Sequence, residues 1–234
     1  MSTIVYVTGT DTGVGKTVLS VVLTRVLQAR AFKPLCSGGR ADARQLRAAQ
    51  KGGPPLDFIN PWHFADPVTP LLAARREGRQ VTREAVVRHV REGVVGARWV
   101  LVEGAGGLLS PLLPGADAPE LIHDLEAIPV VVAVNRLGVI HQVRAVCGLL
   151  APEARARAVV VLMDPRCPDD STADNPALLR ELLGELPVLG FPRLSAAAAR
   201  GLARGPMAPG VRRAASRIAR AIRAREDRAA EKEG

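Results

Sequence analysis

The feature that most constrains this chain is the segment Thr8 to Thr17, which reads T-G-T-D-T-G-V-G-K-T. It follows an apolar run, Ile4 to Val7, and opens a run with helical periodicity, Val18 to Leu27. A strand, a glycine-rich turn and a helix that starts near Gly-Lys-Thr are typical of a phosphate-binding loop. The strict pattern has a glycine where Thr10 stands, so the match is incomplete at one position.

The residue types in this loop suit a nucleoside triphosphate. The free N–H groups and the positive dipole end of a helix N-terminus attract phosphate charge. Gly13 and Gly15 let the backbone approach the phosphates, because neither carries a Cβ. Lys16 is placed to reach the outer phosphates, and the Thr17 hydroxyl to bind Mg²⁺. The alternative is a glycine-rich turn with an incidental lysine, which the Gly-Lys-Thr ending and the strand-to-helix context disfavour.

Apolar strands alternate with helical patterns along the rest of the chain. Extended segments are predicted at residues 31–35, 99–102, 129–134, 158–162 and 187–190, and helices at 41–50, 82–95, 139–150 and 175–186. Thr82 is the expected N-cap of one helix, and Asn175 and Pro176 open another. A last amphipathic helix carries on one face Val211, Ala215, Ile218 and Ile222. This alternation predicts a three-layer α/β/α fold of the P-loop NTPase type with a mostly parallel sheet.

Length and composition favour one domain in an intracellular compartment. We expect residues 1–222 to form a single P-loop α/β domain and residues 223–234 a charged tail that frays at its end. Residues 52–70, rich in Pro and Gly, are predicted to be an irregular surface excursion. No apolar run reaches the ~18 residues of a membrane span, and the N-terminus has no basic leader region. Three widely spaced cysteines fit neither a disulfide framework nor a zinc site. We therefore expect a cytoplasmic protein with no membrane partner.

The net charge of +9 invites a comparison with nucleic-acid-binding proteins. Most of the excess is arginine spread through alanine-rich helices and the C-terminal segment, and no aromatic residues are interleaved with the basic ones. We therefore expect no nucleic-acid partner.

Four polar residues outside the loop are candidates for the chemistry. Glu103 directly follows an apolar strand, where P-loop proteins place the acid that holds Mg²⁺, although it could instead cap a neighbouring helix. Asp42 is either a second metal ligand or, as it reads in isolation, a helix N-cap. Lys33 could stabilise a transferring phosphoryl group, or lie on the surface. Ser37 is either a turn residue or a donor to substrate. No ligand spacing is present among His63, His89 and His123, which we interpret as structural or solvated.

Several segments occur together in a fixed order. They are T-G-T-D-T-G-V-G-K-T at 8–17, K-P-L-C-S-G-G at 33–39, D-A at 42–43, N-P-W-H-F-A-D-P-V-T-P at 60–70 and V-E-G-A-G-G at 102–107. This combination resembles dethiobiotin synthetase, the ATP-dependent carboxylase of biotin biosynthesis, from about residue 3 to residue 195. It is far more specific than any one segment.

The resemblance implies a ring-forming ligase reaction with ATP as co-substrate and Mg²⁺ as cofactor. CO₂ carbamylates one amine of 7,8-diaminononanoate, and the γ-phosphoryl group of ATP converts the carbamate into a mixed carbamic–phosphoric anhydride. The second amine then closes the cyclic urea and releases phosphate. The resemblance also implies a homodimer, in which the loop matching Leu137 to Gln142 helps to bind the carboxylate of the substrate held by the partner subunit.

The resemblance further assigns roles to matching residues of this sequence. Lys16 and Lys33 are the catalytic pair: Lys16 holds the triphosphate together with Mg²⁺, and Lys33 neutralises charge on the carbamate and the moving phosphoryl group. The metal ligands are Thr17, Asp42 and Glu103. The substrate-binding residues are Thr12, Ser37, Gly138, Val139 and His141. The nucleotide-binding residues are Gly13, Val14, Gly15, Lys16, Thr17, Val18, Asp42, Glu103, Gly104, Ala105, Gly106, Met163, Asp164, Pro192, Arg193 and Leu194.

This chain departs from the family pattern in three places. The stretch before Lys33 is shorter by roughly five residues, which is expected to strain the turn into the second strand. His141 replaces an asparagine that would contact the substrate carboxylate, and an imidazole can still donate a hydrogen bond there. Met163 replaces the asparagine of a base-reading segment, which removes an amide suited to adenine. We therefore hypothesise a relaxed nucleotide preference.

Three other interpretations compete with this one. A nucleotide-switch ATPase of the partitioning or septum-positioning type shares the expected fold, but it typically has a second lysine early in the loop, where this chain has Asp11-Thr12-Gly13. An amidoligase of cobalamin synthesis would need a glutaminase domain, for which 234 residues leave no room. An inactive homologue is disfavoured because both lysines and all three candidate metal ligands are present.

Overall fold

The computed structural model describes residues 2–230, with the side chains of residues 2–226. Its strands are β1 (Thr3–Gly9), β2 (Arg30–Phe32), β3 (Leu35–Ser37), β4 (Trp62–Phe64), β5 (Trp99–Glu103), β6 (Ile128–Val134), β7 (Val159–Met163) and β8 (Val188–Phe191). Its helices are α1 (Lys16–Leu27), α2 (Ala41–Ala49), α3 (Leu56–Ile59), α4 (Pro70–Arg76), α5 (Arg83–Glu92), α6 (Ala118–Asp124), α7 (Val139–Gly148), α8 (Pro152–Arg157), α9 (Asn175–Leu183), α10 (Ala196–Gly201) and α11 (Pro209–Ala230).

The main sheet has the strand order β2-β5-β1-β6-β7-β8, and every neighbouring pair is parallel. Val5 and Val7 of β1 pack on the side of α1, α2 and α11, whereas Tyr6 packs on the side of α5, α6, α7 and α9. Helices therefore cover both faces of the sheet, which explains why its strands are valine-rich on both sides. The predicted three-layer α/β/α fold with a parallel sheet is confirmed.

The carboxyl ends of the parallel strands bring the candidate site together. β1 ends at Gly9, just before the phosphate-binding loop, and Val7 of β1 lies opposite Glu103 at the end of β5. The chain leaves the main sheet after Phe32, because β3 pairs instead with β4 in a separate two-stranded parallel sheet. Ligands of open α/β folds bind at this edge of the sheet.

The predicted surface excursion at residues 52–70 is wrong in part. The segment contains α3 and β4, and Ile59 and Asn60 are 0% exposed. Phe64 is also buried, at 2%. Proline and glycine mark the turns in this segment, but the pieces between the turns are only three or four residues long. Such short pieces carry no periodicity that would reveal them.

Most element boundaries differ from the predicted ones by a few residues. The N-cap at Thr82 is confirmed, because its hydroxyl accepts a hydrogen bond from Ala85 N at 3.2 Å. The other N-cap prediction is wrong by one residue, since Asp174 occupies the cap and Asn175 is already helical. α9 also ends earlier than predicted, at Leu183, before a glycine. Helix ends depend on local capping geometry that a hydrophobic pattern does not encode.

The last helix, α11, runs to Ala230 and so continues past residue 222, where we expected the tail to begin. Arg225 is 5% exposed and donates to the carbonyl of Glu185, so this part of the helix packs against the domain. The fraying predicted for the end of the chain falls on residues 231–234, outside the described residues. Within residues 2–230, no helix has the length and apolar character needed to cross a membrane.

Candidate active site

The phosphate-binding loop has the backbone conformation that its sequence predicts. Gly13 and Gly15 have φ values of 74° and 102°, in the left-handed region that favours glycine. A Cβ on Gly15 would lie 2.9 Å from the methyl group at the flexible end of Met163, so the positive φ, more than this contact, favours glycine there. Lys16 is 7% exposed, and its ammonium donates to the carbonyl of Asp11 at 2.8 Å across the loop.

A second buried lysine, Lys33, directly follows β2, and its side chain reaches the end of β5. Lys33 Nζ donates to Glu103 Oε1 at 2.9 Å and to the carbonyl of Gly104 at 3.0 Å. The Asp42 carboxylate is 3.7 Å from the same ammonium, and the Thr17 hydroxyl donates to Glu103 Oε1 at 2.8 Å. The structure thus joins residues from four separate sequence segments in one polar cluster.

This arrangement excludes the structural alternatives that the sequence left open for Lys33, Glu103 and Asp42. Lys33 is 4% exposed, so it is not a surface lysine. Glu103 is 1% exposed and contacts Lys33 and Thr17 rather than capping a helix. Asp42 lies in the first turn of α2, whose capping position is occupied by Arg40. Its carboxylate lies near Lys33 instead.

The two lysines have opposite electrostatic environments. Burial favours the neutral amine of Lys33, but the carboxylates of Glu103 and Asp42 together outweigh burial, so the pKa of Lys33 is raised. For Lys16, burial and then the nearby ammonium of Lys33 lower the pKa to about 8. Lys33 therefore remains a fixed cation, whereas Lys16 titrates close to neutral pH.

The oxygen atoms of the cluster fit a magnesium ion bound together with a nucleotide. Glu103 Oε2 is buried and has no hydrogen-bond partner, whereas Oε1 accepts from the Thr17 hydroxyl. The Asp42 carboxylate lies 3.7 Å from the Lys33 ammonium that also donates to Oε1. Hard cations prefer such ligands, and Mg²⁺ commonly takes one or two carboxylates and completes its shell with phosphates and water. Within residues 2–230 no group of three or more His, Cys, Asp or Glu could hold a metal, so a cation here would need those additional oxygens.

A cavity of about 690 Å³ opens above the cluster. Its lining includes both lysines, Thr12 and Ser37, and the Ser37 hydroxyl is a buried oxygen with no hydrogen-bond partner. Thr69 and Ser110 also line it, although the sequence analysis did not select them. Thr69 lies in the quoted P-V-T-P segment, whereas no sequence signal marks Ser110. A larger cavity of about 840 Å³ is lined by Gln28 and Trp99, away from the predicted site residues.

Comparison with known proteins identifies the family. A family model described as an AAA domain matches residues 3–195. The chain is 38% identical over 199 residues to the ATP-dependent dethiobiotin synthetase of Anaeromyxobacter sp. (strain Fw109-5), covering 78% of this chain and 86% of that protein. It is 33% identical over 223 residues to ATP-dependent dethiobiotin synthetase 1 of Salmonella typhi, covering 86% and 96%. The chain belongs to the dethiobiotin synthetase family.

Two solved structures share the fold of this dethiobiotin synthetase family member. A ParA family ATPase from Chlorobium tepidum superposes with a TM-score of 0.56 at 10% identity, covering 93% of this chain and 98% of that one. A chain of the MinC:MinD cell division complex from Aquifex aeolicus gives 0.57 at 14%, covering 95% and 96%. Identities this low establish the shared fold alone, so the sequence relatives decide the family.

Some residues assigned from the dethiobiotin synthetase pattern lie outside the cavity. Gly138 and His141 are exposed at the start of α7, and Val139 between them is buried in the core. At the end of β7, Met163 lies against Gly15. The next residue, Asp164, is exposed. Desolvation raises the pKa of Asp164. The residues after β8 do not line the cavity either: Pro192, Arg193 and Leu194. The cavity is therefore lined by the lysines, the candidate metal ligands and Ser37. The residues assigned at 138–141, 163–164 and 192–194 lie outside it.

The connection from α1 to β2, which the sequence analysis expects to be short for the family, is a very tight turn. α1 ends at Leu27 and β2 begins at Arg30, so only Gln28 and Ala29 connect them. Gln28 has a φ of 52°, in the left-handed region, and its N–H donates to the carbonyl of Thr24. A residue with a Cβ is unfavourable in this conformation. Gln28 is therefore the position at which the expected strain in this turn can be tested.

Proposed function

We propose that this protein is an ATP- and Mg²⁺-dependent ligase of biotin biosynthesis that converts 7,8-diaminononanoate and CO₂ into dethiobiotin. The observation that carries the proposal is the buried Lys33–Glu103 pair, 2.9 Å apart, beside the phosphate-binding loop in a member of this family. A nucleotide switch has no evident need for a second buried lysine. A group-transfer enzyme does need one, because charge moves away from the nucleotide during the reaction.

The residues of the cavity suggest a division of labour. Lys16 would bind the outer phosphates, and Lys33 would stabilise negative charge on the carbamate and on the transferring phosphoryl group. Thr17, Asp42 and Glu103 would hold Mg²⁺, which supplies further neutralisation of the phosphates when bound. The free hydroxyl of Ser37 would orient the carbamate. Attack of the carbamate oxygen on the γ-phosphorus breaks the bond to ADP, and attack of the second amine on the carbonyl carbon then expels phosphate.

The site of the nucleobase is a separate part of the proposal. We propose that Met163 contributes apolar contact without reading the base, because a thioether offers no donor and only a weak acceptor. Turnover with CTP or GTP is then expected to be comparable to turnover with ATP. Strict dependence on ATP in side-by-side kinetics would contradict this.

The quaternary structure and location are also proposals. A homodimer is supported by the family resemblance and by Gly138 and His141, which are exposed and lie outside the cavity of their own chain. In a dimer these residues would bind the carboxylate of the substrate held by the partner subunit. We propose a cytoplasmic location because that is where a biosynthetic enzyme would meet ATP.

The experiment that tests the reaction measures phosphate release from ATP and Mg²⁺, with and without 7,8-diaminononanoate and bicarbonate. We expect release only when the diamine is present, together with a cyclic urea detected by mass spectrometry. Hydrolysis that does not depend on the diamine would favour a switch ATPase. No hydrolysis under any condition would favour an inactive homologue.

A further inference from the structure

Asn60 is a completely buried amide that holds the backbone next to the catalytic lysine. Its side chain is 0% exposed, although asparagine is usually found at the surface. Its Nδ2 donates to the carbonyl of Lys33 at 2.8 Å and to that of Pro34 at 3.3 Å. Both acceptors belong to the segment that carries the buried ammonium into the cavity.

The other end of the Asn60 amide is also fixed. Arg40 Nε donates to Asn60 Oδ1 at 3.0 Å, and Arg40 Nη2 donates to the Asn60 carbonyl at 2.8 Å. Asp57 pairs with the same guanidinium at 2.7 Å. Arginine can only donate and carbonyls can only accept, so this site specifies one orientation of an amide and excludes a carboxylate.

Two backbone hydrogen bonds from residues 59–62 also hold Lys33 and Pro34 in place. Lys33 N donates to the carbonyl of Ile59 at 2.9 Å, and Trp62 N donates to the carbonyl of Pro34 at 3.1 Å. Because β2 leaves the main sheet after Phe32, these bonds replace sheet pairing at the point where the lysine emerges. The position of the Lys33 backbone therefore depends on residues 59–62 rather than on the six-stranded sheet.

We propose that Asn60 is a positioning residue that fixes the Lys33 ammonium relative to Glu103 and the reacting phosphoryl group. It does not touch substrate and acts through Lys33, so its catalytic effect rests on the proposed function. Placement of a charge to within a fraction of an ångström matters for phosphoryl transfer, where a misplacement of ~1 Å can cost about a hundredfold in rate. The N-P-W-H-F segment thereby holds the backbone that carries Lys33.

Two substitutions test this role. Asn60→Asp keeps the shape of the side chain but places a carboxylate oxygen against the carbonyls of Lys33 and Pro34. Asn60→Ala removes all side-chain hydrogen bonds of Asn60, including the one from Arg40, without adding repulsion. It is the fallback if the aspartate variant does not fold. The matched control is Gln50→Glu, because Gln50 uses its side-chain amide to bond both backbone groups of Ala31, which lies in β2 two residues before Lys33.

The kinetic readout separates positioning from a general loss of stability. We expect both Asn60 variants to lower kcat by ten- to a hundredfold with little change in ATP affinity, and Gln50→Glu to leave kcat within about twofold. In a Lys33→Ala background, Asn60→Ala should cause almost no further loss, because the residue through which it acts is gone. An equal loss in both backgrounds, an unchanged kcat, or an equal loss in Gln50→Glu would overturn the proposal.

A second readout does not depend on the enzyme activity. The sequence has lysine only at positions 16, 33, 51 and 232, so selective ¹³Cε labelling gives a spectrum with few resonances. Asn60→Ala should shift the Lys33 resonance, and Gln50→Glu should leave it in place. A shift in a protein that lacks diamine-dependent turnover would support the positioning role while refuting the reaction. An unmoved resonance would refute the positioning role itself.

Discussion

The two lysines of the site show that identical side chains can have different protonation behaviour a short distance apart. Lys33 is held between two carboxylates, whereas Lys16 has its ammonium near Lys33 and is mostly buried. The first environment preserves the positive charge and the second opposes it. In the proposed reaction, Lys33 would be the permanent cation for the transferring group, and Lys16 would be a cation that the arriving triphosphate stabilises.

The pKa of Lys16, about 8 in the free protein, leads to a pH-dependent affinity for ATP. The triphosphate raises this pKa, so binding takes up a proton, and affinity should fall as the pH rises through 8. Calorimetry in buffers of different ionisation enthalpy measures the uptake, and the ¹³Cε shift of Lys16 measures its titration. Lys16→Arg, which stays charged, should remove the pH dependence. A flat affinity in the unmodified protein between pH 7 and 9 would contradict the prediction.

Removing the second lysine should impair the chemistry more than the binding. Lys33→Ala is expected to lower kcat by about a hundredfold or more while largely sparing ATP affinity, because Lys33 contacts Glu103 rather than the phosphate-binding loop. Steady-state kinetics and ATP titration measure the two effects. Lys51→Ala, at an exposed position, is the matched control. Equal losses of kcat and ATP affinity would make Lys33 a binding or structural residue.

At the scale of elements, the sequence predicts the long pieces well and the short ones poorly. Buried valine-rich strands and the amphipathic α11 are predicted because their patterns extend over several residues. α4 and α8 contain seven and six residues, fewer than two turns, so no periodicity can reveal them. For the same reason the parallel pairing of β3 with β4 was missed, although it places Ser37 at the cavity.

The same limit applies to the candidate site. Lys16, Lys33 and Glu103 are predictable because each occupies a motif or a strand end. Asn60 acquires its importance from contacts with Lys33 and Arg40, which are distant in sequence, and Ser110 from its place in the lining of the cavity. No local pattern encodes either position. The sequence therefore identifies the groups that face the ligand more readily than the groups that hold them.

The tight connection between α1 and β2 offers a test of strain at the level of one turn. Gln28→Gly should stabilise the protein by about 1 kcal/mol, since glycine relieves the left-handed conformation at a modest entropic cost. Thermal and denaturant unfolding measure the change. Arg44→Gly, on the exposed side of α2, should destabilise by a similar amount, because glycine weakens a helix interior. A Gln28→Gly variant that loses stability like the control would show that the turn is unstrained.

At the scale of the whole molecule, the cavity of one chain lacks part of its predicted substrate contacts. Thr12 and Ser37 line it, but Gly138 and His141 do not. Beside them, the large apolar side chain of Leu137 is 78% exposed. A second copy of the chain that covers this surface would account for both observations, because symmetric association lets one subunit supply residues to the other.

Subunit complementation tests that arrangement directly. Lys33→Ala and His141→Ala homodimers should each be impaired at low diamine concentration. If His141 serves the partner's substrate, a mixed dimer contains one site with both residues intact. Random reassortment of equal amounts should then restore about a quarter of the normal sites, because half of the dimers are mixed and each has one such site. If the loop instead serves its own chain, no mixed dimer has a complete site. Mixing after reversible dissociation, with turnover followed at low diamine, would then give no gain over the average of the two variants.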